Sequence, residues 1–144
     1  MKRTPYTGAK IITADKAEEL IRKHKGKIFW VAFTRKTNKK KRNPETGEMV
    51  FVARKGDIRY MSCRTGVKAG VKGVGRNFDP KEKRLISVYD IQKKGYRMFS
   101  KDHLVYLKIA RKKYVVLTEN AREFCLKHPE HEMTKAVKAN RVEL

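Results

Sequence analysis

The sequence predicts an α+β fold, a small antiparallel β-barrel flanked by an N-terminal helix and a C-terminal helical segment. Runs of about five β-branched and aromatic residues recur at short spacing, and turns join them, which favours an antiparallel barrel over a parallel βαβ sheet. The chain has 144 residues, of which 40% are hydrophobic, and this suits one domain with one modest core. We expect the N-terminal helix over 12–26, the barrel over 28–117 and the helical extension over 118–144.

The N-terminal helix is predicted from its end signals and one apolar face. Thr13 or Asp15 is the expected N-cap, and Gly26 is the expected stop. Helical spacing places four apolar residues on one side, Ala14, Ala17, Leu20 and Ile21.

The first predicted strand, 28–33, consists of six consecutive apolar residues and is expected to be core on both faces. Trp30 is therefore expected in the core, as is Phe99. Turn residues separate the further predicted strands, which cover 49–53, 58–63, 85–89, 96–99, 103–109 and 114–117.

The C-terminal helix is predicted to begin after Thr118 as its N-cap and to carry Ala121, Phe124 and Cys125 on its apolar side. It should end near His128, because the proline that follows disfavours helix in the residue before it. The tail from 130 is either a second short helix or a frayed end.

The charge of the chain indicates a polyanionic partner. Lys and Arg number 37 against 15 Asp and Glu, a net charge of +22, and a bound polyanion relieves such self-repulsion. Nucleic acid is the first hypothesis, although a very soluble protein can also be basic without a specific partner. The cations concentrate over 35–42, among the glycines of 64–84, and over 108–113.

The first basic segment, 35–42, is predicted to be a hairpin tip or a mobile loop, because Asn43-Pro44 and Thr46-Gly47 mark turns directly after it. In the second segment, glycines at 66, 70, 73 and 75 either permit positive φ in a long connection or bring the backbone close to phosphates. The sequence leaves both roles open.

Three strand segments carry short motifs, Phe33-Thr34-Arg35, then 58–64 with the sequence IRYMSCR, then 86–90 closed by 95–99. Together they resemble the F-T-K strand, the R-x-M-x-C-T strand and the V-x-D-x-x-x-x-x-W-R-x-F hairpin of small tailed-phage proteins with an SH3-like β-barrel. Tyr96 stands where that pattern has Trp, and 35–57 is a long insertion. The resemblance covers about 28–109; it implies an SH3-like barrel and a phage source, and it names no activity.

No motif indicates catalysis or a cofactor. The glycines form neither a P-loop nor a dinucleotide-binding fingerprint. Cys125, His128 and His131, with His103 or Cys63 as a fourth ligand, lack the paired spacing of structural zinc sites and are better explained as a buried thiol and surface imidazoles. The acidic residues that a metal-dependent nuclease would need follow no metal-binding motif; they are Asp57, Asp79, Glu82, Asp90 and Asp102. We expect no enzyme, no cofactor, no metal and no small-molecule substrate.

The predicted nucleic-acid site consists of cations that contact phosphates, with one loop aromatic. Its residues are Arg35, Lys36, Lys39, Lys40, Lys41, Arg42, Arg64, Lys68, Lys72, Arg76, Phe78 and Arg97. Exposed aromatics in a basic groove would add base stacking, and the candidates are Tyr60, Phe78, Tyr89, Tyr96 and Tyr106.

The sequence thus predicts a non-catalytic DNA- or RNA-binding protein with weak base specificity. One alternative is a basic module that docks an acidic face of a host or phage protein such as a polymerase subunit, and another is an RNA-packing, ribosome-associated protein. Two cysteines without a disulfide framework, and no apolar run of signal-peptide or membrane length, predict an intracellular protein without a membrane partner. If the phage resemblance holds, its location is the cytoplasm of an infected bacterial host.

Overall fold

The computed structural model describes residues 4–65 and 84–142, and these form nine strands, three α-helices and a one-turn 3₁₀ helix. The elements in chain order are β1 (Lys10–Ile12), α1 (Ala14–Lys23), β2 (Phe29–Thr34), β3 (Lys39–Arg42), β4 (Met49–Ala53), β5 (Ile58–Arg64), β6 (Leu85–Asp90), β7 (Gly95–Ser100), the 3₁₀ helix (Lys101–His103), β8 (Leu104–Ile109), β9 (Lys112–Val116), α2 (Glu119–Lys127) and α3 (Glu132–Ala139).

Seven of these strands form one sheet in the order β1-β9-β8-β2-β5-β6-β7, and β3 pairs only with β4. Every pairing is antiparallel except that of β1 with β9. The predicted α+β fold with a mostly antiparallel sheet is confirmed. Within the described residues β1 does not pair with β7, so the structure gives an open sheet order and not the closed barrel that was expected.

The sheet is nonetheless strongly curled. Two strands, β5 and β6, lie between β2 and β7, so a flat sheet would separate β2 from β7 by about 14 Å. The rings of Phe33 on β2 and Phe99 on β7 are stacked with their centroids 5.8 Å apart. The far edge of the sheet therefore folds back toward β2 and encloses an apolar interior.

The concave inner face of the sheet carries the main core. Phe29 and Val31 of β2 are fully buried there together with Leu104 and Leu107 of β8, and Ile21 of α1 belongs to the same buried cluster. As predicted, Phe99 belongs to this core, with 2% of its surface exposed. The apolar side of α1 is thus the side that packs on the sheet.

The convex outer face carries a second core over only part of its area. Here α2 and α3, with the N-terminal segment around Tyr6, cover Ala32 of β2, Tyr106 of β8 and Val115 of β9. Because both layers meet at β8, four consecutive residues from Leu104 are buried and this strand is core on both faces.

The expectation that 28–33 is core on both faces is wrong. Ile28 and Trp30 are 50% and 47% exposed, although Phe29 and Val31 beside them are fully buried. The helices of the outer layer cover Ala32 but do not extend over the end of β2 that carries Trp30. Successive residues of a strand face opposite sides of the sheet. In an uninterrupted apolar run the residues of both faces are apolar, so the sequence does not show which face is exposed.

The predicted N-caps and the predicted end of α2 agree with the structure, whereas α1 is shorter at both ends than the predicted 12–26, and residues 10–12 form β1. Thr13 is the N-cap of α1 and accepts a hydrogen bond from the Lys16 amide; the helix ends at Lys23, before the predicted boundary. Thr118 caps α2 by accepting from the Ala121 amide at 3.1 Å. The tail forms α3, so the interpretation as a second short helix is the correct one. None of the helices within the described residues is long and apolar enough to cross a membrane.

A histidine at the start of α3 predicts a pH-dependent stability. His131 is the N-cap, and its ring Nδ1 accepts a hydrogen bond from the Met133 amide at 3.1 Å. Burial first, and then neighbouring His128, lower the pKa of His131 below its ordinary value. A lowered histidine pKa means that the unfolded chain binds the proton more readily, so stability is lost as the pH falls below about 6.5.

We therefore expect the free energy of unfolding, measured with urea, to fall between about pH 7.5 and pH 5.5. His131→Asn retains a capping oxygen that does not titrate, and this variant should lose less stability over that interval. Burial also lowers the pKa of His103, so part of the dependence should persist. An identical pH profile in the variant would contradict a role for His131.

Candidate nucleic-acid interface

The four consecutive cations of 39–42 form a strand, β3, where a hairpin tip or a loop was expected. This strand and β4 make a two-stranded ribbon outside the main sheet, called here the basic ribbon, residues 39–53. All four cations are exposed. The register places Lys40 opposite Phe51, Lys41 opposite Val50 and Arg42 opposite Met49. Cations therefore project from both faces of the ribbon.

Hydrogen bonds fix the basic ribbon at both ends. At its tip, the Asn43 amide donates to the Glu48 carbonyl at 2.8 Å, and the Glu45 amide donates to the Asn43 side chain. At its base, the Arg35 amide donates to the Asp57 carbonyl at 2.9 Å, and the Gly56 amide returns a bond to Arg35. Because these bonds hold both ends of the hairpin, the cations lie on an ordered basic ribbon.

The cations of the basic ribbon are not neutralised by carboxylates within the described part of the chain. None of Lys39, Lys40, Lys41 and Arg42 takes part in an ion pair there. Lys40 instead places its ammonium 4.8 Å from the centre of the Phe51 ring. The aliphatic stems of such side chains cover apolar neighbours while the charged ends stay in water.

Carboxylates gather at another corner of the molecule, around α1 and the 3₁₀ helix. Arg84 bonds Asp102 at 2.8 Å, and Lys101 bonds Glu18 at 2.8 Å and Asp15 at 3.1 Å. The bond to Asp102 raises the pKa of Arg84, and the bond to Glu18 raises that of Lys101. Carboxylates thus neutralise Arg84 and Lys101, whereas the four cations of β3 have no carboxylate partner among the described residues.

The other predicted contact residues do not all lie together. Arg35 and Lys36 stand at the base of the basic ribbon, next to its cations. Arg64 pairs with Tyr89 and therefore belongs to the outer face, whereas Arg97 pairs with Val88, which belongs to the inner core. The remaining predicted contacts, Lys68, Lys72, Arg76 and Phe78, and the glycines at 66, 70, 73 and 75, lie outside the described residues.

The part of the outer face that α2 and α3 leave exposed, within the described residues, carries a group of side chains that could not be grouped from the sequence alone. Cross-strand pairing sets Lys113, Lys108, Trp30 and Ser62 in one row over β9, β8, β2 and β5. An adjacent row continues with Arg64, Tyr89 and Tyr96 over β5, β6 and β7. The recurrence of Lys in 108–113 was visible in the sequence, but its position beside Trp30 depends on strand pairing.

The five aromatic candidates have different environments. Tyr106 is buried, with 3% of its surface exposed, which removes it as a stacking residue. Tyr60 is 48% exposed, and its hydroxyl is hydrogen-bonded to that of Tyr6. Tyr89 and Tyr96 form an edge-to-face pair with centroids 5.4 Å apart. Phe78 lies outside the described residues.

Of the candidate metal ligands, Cys125 serves packing and His131 serves helix capping. Cys125 is 1% exposed within the second core, and His131 caps α3 while its ring packs edge-on against Phe124. Burial raises the pKa of Cys63 to about 12, which keeps this thiol protonated. Among the described residues, no group of three or more His, Cys, Asp or Glu is placed to hold a metal ion.

Two open clefts occur in the described surface. One, of about 540 Å³, lies between α1 and β6 and is lined by Thr65 and Arg84, which flank the segment outside the described residues. The other, of about 390 Å³, lies between the base of the basic ribbon and α2, where His103 Nδ1 is 3.0 Å from Thr34 Oγ1. Both are lined by side chains of mixed charge.

Comparison of the chain with models of protein families, with curated protein sequences and with solved structures finds no match. No relative therefore supplies a substrate or a partner, and function has to follow from the chemistry of the residues.

Proposed function

We propose that the protein is a non-catalytic, strongly basic nucleic-acid-binding protein that contacts phosphate backbones with weak sequence specificity. The observation that carries this proposal is the basic ribbon, with four consecutive exposed cations free of ion pairs within the described residues. The sequence resemblance adds the proposal of a phage accessory protein in the cytoplasm of the infected cell.

Phosphate contact follows from the chemistry of the ribbon. Lys side chains act as flexible point charges that bind a phosphate from many directions, and such contacts fix position without reading bases. Alternation along β3 directs Lys40 and Arg42 to one face and Lys41 to the other. A ribbon with cations on both faces can follow a phosphate chain without a base-specific register, which is why we propose weak specificity.

The salt dependence of binding tests this proposal. Each phosphate contact releases condensed counterions, so the logarithm of the affinity falls with the logarithm of the salt concentration. We expect fluorescence anisotropy with labelled DNA and RNA, between about 50 and 200 mM salt, to give a slope of several counterions for the natural protein. Replacing Lys39, Lys40 and Lys41 by Ala should reduce that slope by about two to three.

A second triple variant, at Lys127, Lys135 and Lys138, controls for net charge. These residues lie on α2 and α3, and two of them are paired with Glu123 and Glu132. Their removal lowers the net charge by the same amount as the ribbon variant. A slope that falls equally in both variants would show a diffuse charge effect, and an unchanged slope in the ribbon variant would remove the ribbon from the binding surface.

An acidic protein partner is the second candidate function, favoured by the apolar strand of the same ribbon. Met49, Val50, Phe51 and Val52 are each 44–55% exposed, and exposed apolar groups beside cations are typical of a docking surface. Stoichiometric binding to a folded acidic protein, together with no affinity for oligonucleotides at about 150 mM salt, would favour this function over the first.

We also propose that the segment 28–109 corresponds to the SH3-like barrel implied by the sequence resemblance. Its first strand, β2, and its last, β8, pair side by side, which brings the ends of the segment together as a small barrel requires. The stacking of Phe33 on Phe99 adds the curvature that barrel closure needs.

A further inference from the structure

We propose that the uncovered part of the outer face is a base-stacking platform for single-stranded nucleic acid, centred on Trp30. This inference rests on the proposed nucleic-acid-binding function and names the form of polymer that the protein takes. The aromatic platform, as it is called here, consists of Trp30, Tyr89 and Tyr96 with Arg64, Lys108 and Lys113.

The platform is one continuous surface because of strand register. Trp30 is directly opposite Lys108 on one side and Ser62 on the other, and Arg64 is the next residue of β5 on the same face. Opposed residues have Cα atoms about 5 Å apart, and diagonal neighbours are about 7–8 Å apart. Aromatic rings and cations therefore lie side by side across the sheet, within reach of one short strand of nucleic acid.

Trp30 is exposed although the fold has an outer layer that could have covered it. It is 47% exposed, while Ala32, two residues further along the same face, is fully buried beneath that layer. The Lys108 ammonium lies 5.5 Å from the centre of the Trp30 ring. An exposed indole beside a cation offers a base both an aromatic surface for its ring and a charge for its phosphate.

The charge of the platform fits a polyanion. Arg64, Lys108 and Lys113 lie at its register positions, and those positions hold no carboxylate. The one acidic residue of β6, Asp90, is 1% exposed and pairs with Arg59 on the inner side.

The combination of exposed aromatic rings and cations favours single-stranded over double-stranded nucleic acid. In a duplex the faces of the bases are stacked on one another, so aromatic side chains on a protein surface can reach only its outside or a terminal base pair. In a single strand each base can turn its face onto a side chain, and such stacking tolerates any sequence. Weak base specificity is therefore compatible with discrimination between single and double strands.

Trp30 provides its own probe, because it is the one tryptophan of the chain. We expect titration with oligothymidine of about 12 nucleotides, a length within the usual site sizes, to quench the tryptophan fluorescence saturably at about 150 mM salt. A duplex of equal length should quench it far less. An abasic oligonucleotide of the same length, which presents phosphates without bases, should bind more weakly and leave the fluorescence unchanged.

A variant pair gives an independent measurement by anisotropy. Trp30→Ala should weaken binding of oligothymidine by about 5- to 100-fold and leave binding of the abasic oligonucleotide within about twofold. Leu126→Ala removes a side chain that is 64% exposed on α2, and it should change neither. Circular dichroism of each variant verifies that it is folded.

The outcomes separate the platform from the phosphate-binding function. If oligothymidine binds without quenching, or the abasic chain binds equally well, the platform is overturned and the phosphate-binding function stands. If no oligonucleotide binds at about 150 mM salt, the proposed function fails and the platform fails with it.

Discussion

Replacing Phe29 by alanine is expected to lower the free energy of unfolding by about 3 to 5 kcal/mol. The side chain is fully buried on β2, the strand that pairs with both β5 and β8. Its removal leaves a cavity between the sheet and α1, and the surrounding strands cannot collapse into it without losing their pairing. Urea unfolding followed by circular dichroism measures the loss.

The neighbouring residue supplies the control for this prediction. Trp30 is larger than Phe29 but faces outward, so Trp30→Ala should cost about 1 kcal/mol or less, through lost contact with Lys108. Equal losses in the two variants would contradict the assignment of the two side chains to opposite faces. If Trp30→Ala loses little stability, a loss of nucleic-acid binding in this variant does not result from unfolding.

Asp90→Ala is expected to cost about 2 to 4 kcal/mol. Asp90 is buried, and its Oδ1 accepts hydrogen bonds from the Gln92 and Lys93 amides at 3.0 and 3.1 Å. Its Oδ2 lies 3.5 Å from the Arg59 guanidinium. Removal of the carboxylate leaves two amides of the β6–β7 turn without an acceptor and an arginine at the inner face without its counter-charge.

Asp57→Ala is the matched control, since Asp57 also accepts a backbone hydrogen bond in a turn, from the Arg54 amide at 2.9 Å. It is exposed, so water can replace it and the loss should be about 1 kcal/mol or less. Urea unfolding curves of both variants test the difference. A loss in Asp90→Ala no larger than in Asp57→Ala would show that burial of this carboxylate does not matter.

Local patterns were sufficient to predict the N-caps of α1 and α2 and most strands. Thr13 and Thr118 were predictable as N-caps because a hydroxyl before an apolar helical face satisfies an amide of the first turn locally. Strand β1, three residues that precede α1, was not predicted, and β3 was missed because four consecutive cations have low strand propensity. Strand β3 forms because β4 supplies its backbone partners and because the turn at 43–48 is closed by its own hydrogen bonds.

The candidate site likewise has one part that the sequence predicts and one part that depends on the pairing of distant strands. The cluster of cations at 39–42 is a property of the sequence, and its net charge did not depend on the fold. The platform around Trp30 could not be predicted, because Trp30, Lys108 and Arg64 are brought together by pairing between strands distant in the chain. The uninterrupted apolar run of 28–33 favoured a buried Trp30, and the limited extent of the outer helical layer left it exposed.

The sequence by itself determined the α+β class, the apolar strands, the N-caps of α1 and α2 and the strong positive charge, since each follows from residue type and spacing along the chain. Only the tertiary structure decided the sheet order, the curl that stacks Phe33 on Phe99, and which face of β2 is exposed. The physical reason is that burial depends on what packs against a side chain. For Trp30 that is set by how far α2 and α3 extend over the sheet, which no local pattern records.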